Sequence, residues 1–162
     1  GYGPSKDSDN GNGSLMRILP AAIKLQGDRW MFEKMAQLSG ITHGHVRSTM
    51  ACWLYAMIVG ELLEGKEAQE SYEAPLNVFK HWSKGSIEGV HFDRITAGNI
   101  GELDEYEIMS SGYVIHSLEA ALWCLLRHDN YADTVLEAVN LGDDTDTTAA
   151  IAGGLAGILY GR

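Results

Sequence analysis

Carboxylate and hydroxyl groups are concentrated in one short segment near the end of the sequence. Residues 143–148 are Asp-Asp-Thr-Asp-Thr-Thr. Their oxygen atoms are the ligands that hard cations such as Mg²⁺ prefer. Helix capping is the alternative, since Asp and Thr are good N-caps and negative charge near a helix N-terminus stabilises the helix by roughly 0.3–1 kcal/mol. Three neighbouring carboxylates repel one another and a bound cation relieves that repulsion, so the segment alone leaves both a metal site and a cap open.

The residues that follow predict the element that holds this segment. Residues 149–160 are small and apolar, and no charge follows before Arg162. A helix without a polar face is expected to be buried. The acidic segment should therefore lie at the N-terminal end of a core helix. It is not an EF-hand loop, because counting from Asp144 puts Ala149 where the glycine belongs and Leu155 where the glutamate belongs.

A second candidate is the glycine-rich segment of residues 10–14, Asn-Gly-Asn-Gly-Ser, which precedes a predicted helix. Glycines let the backbone approach a ligand closely, and the N–H groups at a helix start point toward anions. The segment could hold a phosphate, or it could be an ordinary turn with Ser14 as the N-cap. Arg17, one helical turn later, could meet that phosphate or pair with a carboxylate of the core.

Two further sites carry polar rings. His43 and His45 flank Gly44 between two predicted helices, where imidazole can bind metal or a ligand, although this spacing without a third ligand is weak for zinc. Tyr113 follows Gly112 at the head of a helix and could stack on a ligand ring or pack at the edge of the core. Partly exposed link histidines and a core-edge tyrosine are the alternatives.

The periodicity of apolar residues predicts a multi-helical, all-α protein and no strand. Residues 85–109 are polar and glycine-punctuated, and they are expected to form loop or short helices. The main helices are predicted over residues 14–23, 29–38, 46–64, 76–82, 113–126 and 131–140 and in the final segment after residue 144.

The composition limits the function further. The net charge is −10, and residues 101–162 hold eleven acidic and two basic side chains, so nucleic acid is not an expected partner. Cys52 and Cys124 lie in apolar helical contexts without metal-ligand spacing, which favours buried free thiols in a reducing compartment. The run Met50–Leu63 is predicted to be too short to span a membrane. A cytoplasmic protein without a membrane partner is therefore expected.

Four stretches of the sequence resemble the ADP-ribosylglycohydrolases, in particular the bacterial enzymes that reactivate dinitrogenase reductase. They occur along the chain in the same order as in that family. The most specific of them is the Gly-Asp-Asp-Thr-Asp-Thr element at residues 142–147. The others are Gly-Asn-Gly-Ser-Leu-Met-Arg at residues 11–17, Thr-His at residues 42–43, and Gly-Tyr-Val at residues 112–114 leading into Leu-Glu-Ala-Ala-Leu-Trp at residues 118–123.

The resemblance implies an all-α fold around a binuclear Mg²⁺ (or Mn²⁺) centre that hydrolyses the glycosidic bond between ADP-ribose and a protein side chain. It implies Asp144, Asp146 and Thr147 as metal ligands. The expected binding groups for ADP-ribose are the backbone of the glycine segment and two side chains: Gly11, Asn12, Gly13, Ser14, His43 and Tyr113. The expected partner is an ADP-ribosylated protein or ADP-ribose itself.

The family also has, upstream of the glycine segment, acidic elements that supply the remaining metal ligands. The sequence begins after them, so residues 1–162 are expected to form a single partial domain whose catalytic groups lie outside it. Such a chain is expected to be inactive alone, and to self-associate or pair with a separate N-terminal half. A non-catalytic ADP-ribose-binding module and a purely structural relative are the alternatives.

Overall fold

The computed structural model describes residues 3–161, and it confirms the all-α class. Nine α-helices are present in that range, joined by loops and 3₁₀ turns. They are α1 (Leu19–Lys24), α2 (Met31–Gly40), α3 (Val46–Leu63), α4 (Ala68–Glu73), α5 (Leu76–Ser83), α6 (Asp93–Thr96), α7 (Val114–Arg127), α8 (Tyr131–Asn140) and α9 (Thr145–Tyr160). Between residues 3 and 161 the chain forms no strand, only one isolated antiparallel bridge between Gly11 and Tyr113.

Helices α3, α7 and α9 pack together and form the core that positions the candidate site. Helix α3 is buried along most of its length because its apolar residues cover nearly its whole circumference. Trp123 of α7 is 1% exposed, and its indole N–H donates to the Leu103 carbonyl oxygen at 2.9 Å. Helix α8 begins as its sequence predicts, since the Asn130 side chain caps it by accepting from the N–H of Asp133 at 2.9 Å.

The final helix is less buried than its composition predicts. Leu155 and Ala156 are buried, but Ala150 and Gly157 are exposed. Small side chains offer little apolar area to bury, so an exposed stripe of them costs little. The expectation that α9 lies wholly inside the core is therefore wrong for this one face.

The chain around Ser14 also differs from the expectation. No α-helix begins there. Residues Leu15–Arg17 form a single 3₁₀ turn, and α1 begins only at Leu19, with Pro20 in its first turn. Proline is tolerated in that position because the first N–H groups of a helix have no intrahelical partner. The predicted helix over residues 14–23 is thus two short elements. Helix α4 was not predicted from the apolar periodicity.

Helix α3 is long and apolar enough to cross a bilayer by length and composition alone, with a mean hydropathy of 1.2 over 18 residues. In the protein 72% of it is buried, as a core helix would be. The argument from the run Met50–Leu63 underestimates the length, because the helix begins at Val46, as predicted, and has 18 residues.

Candidate functional site

The glycine loop, residues 10–14, is held against the segment that precedes α7. The N–H of Asn12 donates to the Gly112 carbonyl oxygen at 3.0 Å, and the N–H of Val114 donates to the Asn10 carbonyl oxygen at 3.0 Å. These two bonds enclose the bridge between Gly11 and Tyr113. Two stretches about a hundred residues apart in sequence therefore form one short antiparallel contact, which fixes the loop without a regular sheet.

The acidic loop, residues 141–144, is anchored to the other side of the same segment. The N–H of Asp144 donates to the Ser110 carbonyl oxygen at 3.1 Å, and the Ser110 hydroxyl donates to the Gly142 carbonyl oxygen at 2.9 Å. Gly142 and Asp143 both have positive φ, 78° and 57°. Glycine and aspartate are the residues that tolerate this conformation, which turns the chain sharply into α9.

The side chain of Asn12 joins the two loops. Its amide donates to Asp144 Oδ2 at 2.7 Å and to the Ser117 hydroxyl at 2.8 Å, and the residue is 7% exposed. The hydrogen bond from Asn12 holds the pKa of Asp144 below its usual value, and the Thr147 hydroxyl contributes in the same direction. Asp144 is therefore ionised at neutral pH and fixed in orientation.

Asp144 does not serve as a helix cap. It is the N-cap residue of α9 by position, yet its side chain makes no capping hydrogen bond and turns toward Asn12 instead. Of the capping and metal alternatives, simple capping by Asp144 is therefore ruled out. The Asp146 carboxylate is exposed and Thr147 is 5% exposed, so α9 begins with two carboxylates and a hydroxyl that could hold a hard cation.

His43 packs on the glycine loop from the α2–α3 link. A Cβ placed on Gly13 would lie 2.8 Å from His43 Cε1, and one on Gly11 would lie 3.3 Å from His43 Nε2. The ring Nδ1 lies 2.8 Å from the Thr42 hydroxyl, which also accepts from Arg17 at 2.8 Å. Burial, and then the charge of Arg17, lower the pKa of His43, so the ring is neutral at pH 7.

Two predicted roles change in this region. Among the described residues Arg17 does not pair with a carboxylate; its guanidinium donates to Thr42 and to the Leu38 carbonyl oxygen at 3.0 Å. The Ser14 side chain is fully buried and accepts from Cys52 Sγ at 3.6 Å. Ser14 can therefore offer a ligand its backbone but not its hydroxyl. Because only a 3₁₀ turn follows, the helix-start argument for anion binding at this loop is also weaker than the sequence suggested.

Tyr113 lines a cleft beside the glycine loop. The cleft has a volume of about 410 Å³, within the range of ligand sites. Its lining residues are Asp7, Ser8, Asn10, Gly11, Arg47, Gly112 and Tyr113. The structure thus brings the glycine loop, His43, Tyr113 and Asp144 into one region, although they are spread over more than 130 positions of sequence.

Sequence reasoning missed Arg47, which is 4% exposed on the cleft wall. Its Nε donates to Glu88 Oε2 at 2.7 Å and its Nη2 to Asp7 Oδ1 at 2.6 Å. The sequence did contain a signal for this residue. Arg47 is the second residue of a mostly apolar helix, and a charged side chain that is buried there needs a partner of opposite charge.

The carboxylates of Asp7 and Glu88 also lie near His45, close enough for these three residues to suggest a second cation site. Arg47 already neutralises both carboxylates, and His45 Nδ1 accepts from the N–H of Arg47 at 3.2 Å. This cluster is therefore an ion-pair network around Arg47 and not a vacant metal site.

Comparisons with known proteins show what the chain is similar to. The chain is 36% identical over 158 residues to the ADP-ribosylarginine hydrolase Tri1 of Pseudomonas putida (strain GB-1), covering 95% of this chain and 39% of that protein. It is 32% identical over 164 residues to the ADP-ribosyl-(dinitrogen reductase) glycohydrolase of Rhodospirillum rubrum, covering 98% and 49%. The chain thus spans less than half the length of either relative.

A solved structure described as an ADP-ribosylglycohydrolase-related protein complex superposes with a TM-score of 0.80 at 27% identity, over 96% of this chain and 52% of that one. A sequence model of the family described as ADP-ribosylglycohydrolase matches residues 2–162. With that match over nearly every residue and with both relatives above 30% identity, the chain belongs to the ADP-ribosylglycohydrolase family.

Proposed function

We propose that this chain contributes the ADP-ribose-binding cleft and part of a Mg²⁺ site to a hydrolase that removes ADP-ribose from modified protein side chains. The observation that carries the proposal is the contact between Asn12 and Asp144 at 2.7 Å. It joins the glycine loop, which can approach a diphosphate closely, to the acidic loop, which can hold a cation. A hydrolase of this kind needs both functions side by side.

Asp144, Asp146 and Thr147 would hold the cation, with Mn²⁺ as an alternative to Mg²⁺. Asp144 is ionised and oriented by Asn12, while Asp146 is exposed and free to turn toward a metal. The cation would polarise ribose hydroxyls and position a water for attack at the anomeric carbon. Three ligands leave an octahedral Mg²⁺ shell incomplete, so water, substrate or further carboxylates must supply the rest.

The chain's own residues bind and orient the substrate. Gly11 lines the cleft, and the neutral His43 ring packs on Gly11 and Gly13 of the glycine loop. Tyr113 supplies an aromatic face and a hydroxyl at the cleft wall. As the bond to ADP-ribose breaks, positive charge develops toward an oxocarbenium-like state, which the nearby carboxylates of an acidic protein favour.

The relatives named as ADP-ribosylarginine hydrolase and ADP-ribosyl-(dinitrogen reductase) glycohydrolase favour an ADP-ribosylated protein as the substrate class. ADP-ribose itself is the expected small-molecule ligand of the cleft. A separate segment or chain that carries further carboxylates is the expected partner of the acidic loop, because three oxygen ligands alone hold Mg²⁺ weakly.

Calorimetric titration of ADP-ribose with and without Mg²⁺ tests the proposal. We expect binding that strengthens with Mg²⁺, and Asp146→Ala should remove the metal-dependent part while leaving the rest. Asp133→Ala is the matched control, because it removes an exposed carboxylate from the first turn of a different helix, α8. Helix α8 packs near Gly153 and Gly157, in the half of α9 that is far from the acidic segment. Metal-independent binding would instead favour a non-catalytic binding module, and an Asp146→Ala isotherm equal to the parent's would refute the ligand assignment.

A further inference from the structure

A single buried cation, Arg47, joins three segments at the cleft, and two of them contribute lining residues, Asp7 and Tyr113. Arg47 is 4% exposed, and each of its three guanidinium nitrogens donates to a different residue. Nε donates to Glu88 at 2.7 Å, Nη2 to Asp7 at 2.6 Å and Nη1 to the Tyr113 hydroxyl at 3.2 Å. These partners lie 41, 40 and 66 residues away in sequence, so Arg47 connects segments that are distant along the chain.

The three partners are not equivalent. The Glu88 side chain is 15% exposed and the Asp7 side chain 81% exposed. An ion pair with a fully solvated carboxylate contributes little, so Glu88 is the counter-ion that makes burial of Arg47 acceptable. Asp7, Arg47 and Tyr113 all line the cleft, and the bond to Tyr113 links Arg47 to the aromatic side chain of that wall.

The orientation of Tyr113 depends on contacts at both ends of its side chain. The guanidinium carbon of Arg47 lies 5.8 Å from the ring centroid, in addition to the bond to the hydroxyl. The His116 ring meets the Tyr113 ring edge-on at 4.9 Å between centroids, and His91 Nδ1 lies 3.5 Å from the hydroxyl. Within residues 3–161, Arg47 is thus the partner that contacts both the face and the hydroxyl of Tyr113.

We propose that Arg47 is a positioning residue that fixes the Tyr113 side chain at the cleft wall, and so sets the affinity of the cleft for ADP-ribose. This inference builds on the proposed function, in which Tyr113 contacts the ligand. Three of the five N–H donors of Arg47 are engaged by protein groups, so this role does not require a contact between Arg47 and the ligand.

The planar guanidinium is essential to this role. It presents donors in three directions from one rigid plane, whereas lysine presents a single compact ammonium on a flexible stem. Arg47→Lys keeps the positive charge and can keep the Glu88 pair, but it cannot also hold Tyr113. We expect ADP-ribose binding to weaken about tenfold in this variant, the scale of one lost hydrogen bond to a charged donor.

Arg94→Lys is the matched control. Arg94 donates to both carboxylate oxygens of Glu119, which is 4% exposed, so the substitution also removes an arginine fork from a buried carboxylate. Arg94 does not line the cleft. We expect the control to lose thermal stability but to bind ADP-ribose as the parent does. An equal loss of affinity in both variants would show general destabilisation and overturn the inference.

The double variant Arg47→Lys/Tyr113→Phe separates positioning from an independent effect. If Arg47 acts through the Tyr113 hydroxyl, the double variant binds no more weakly than Arg47→Lys alone. Additive losses would mean that the two side chains act separately, and would refute the positioning role.

A second measurement needs no ligand. In a chain labelled at tyrosine ¹³Cζ, the Tyr113 resonance is assigned from its absence in Tyr113→Phe. At one fixed pH, so that the titratable neighbours Asp7, Glu88, His91 and His116 keep their charge, this resonance should move in Arg47→Lys and stay in place in Arg94→Lys. If the parent chain binds no ADP-ribose, the proposed function fails, while this resonance still decides whether Arg47 positions Tyr113: no movement overturns it.

Discussion

The Asn12→Ala substitution tests the contact between the glycine loop and the acidic loop most directly. It removes the hydrogen bond to Asp144 Oδ2 at 2.7 Å and the one to the Ser117 hydroxyl at 2.8 Å. The backbone bond from Asn12 to Gly112 stays, so the loop keeps its main anchor. A bond to a charged acceptor contributes about 1.5–3 kcal/mol and a neutral one about 0.5–1.5 kcal/mol.

Two features favour the lower end of the combined contribution of these two hydrogen bonds. The Ser117 hydroxyl still donates to the Ser111 carbonyl oxygen at 3.0 Å, and Asp144 is only half-buried, so water can replace part of what Asn12 provided. We therefore expect a loss of about 2 kcal/mol in the free energy of unfolding. For a chain of this length that corresponds to a fall of about 4–8 °C in Tm.

The pH dependence of the stability provides a second, independent test of this hydrogen bond. The hydrogen bond from Asn12 lowers the pKa of Asp144 below 3.8, the ordinary value for an aspartate side chain. The stabilisation that it gives is fully present above that value and is lost as the pH falls through the lower pKa of the folded state. The difference in Tm between parent and variant should therefore be constant from pH 7 to pH 5 and shrink below pH 3.8.

Differential scanning calorimetry in EDTA, which removes any bound metal, measures both quantities. Asn130→Ala is the control, since it removes an asparagine cap far from the two loops and should cost about 1 kcal/mol without changing ADP-ribose binding. A fall in Tm of less than about 1 °C for Asn12→Ala at pH 7, or a difference that does not shrink in acid, would refute the reasoning.

Three further outcomes are expected. Gly13→Ala should destabilise the chain by about 1–3 kcal/mol, because the new Cβ would lie 2.8 Å from His43 Cε1. Gly157→Ala should stabilise the chain by about 0.5–1 kcal/mol, because a Cβ at that exposed helix position would lie no nearer than 3.9 Å to any atom outside its own helix. Urea titration of both variants checks that the two changes in the free energy of unfolding have opposite signs. Burial raises the pKa of the thiol to about 11 in Cys52 and about 12 in Cys124, so neither should react with Ellman's reagent at pH 8 until guanidinium unfolds the chain; reaction in the native state would contradict the buried environment. The chain alone should self-associate, and a monomer in size-exclusion chromatography at micromolar concentration would count against that expectation.

Much of the helical architecture could be predicted from the sequence. Apolar periodicity located α8 at its observed bounds, and the long apolar run located α3 to within one residue. These signals are local, since they depend on neighbours three or four positions away. The short helix α4 and the 3₁₀ turn at Leu15–Arg17 were missed, because elements of one or two turns contain too few apolar positions to establish a period.

The chemistry of the candidate site could be predicted only in part. Residue types alone indicated a cation-binding segment at 143–148 and a close-approach loop at 10–14, but left helix capping and an ordinary turn open. The tertiary structure excluded capping by Asp144, because that side chain turns to Asn12, 132 residues earlier in the chain. It also turned the Ser14 hydroxyl into the core.

The sequence by itself determined most of the helices, the acidic segment and the glycine loop, because each follows from the residues next to it. Only the tertiary structure decided which of these meet. The pairing of Asn12 with Asp144 and the network around Arg47 depend on distances between segments that are 40 or more residues apart, and no periodicity encodes those distances. Burial then decides the chemistry, since the same arginine that would be a solvated charge on a surface must, inside the protein, bind every acceptor it can reach.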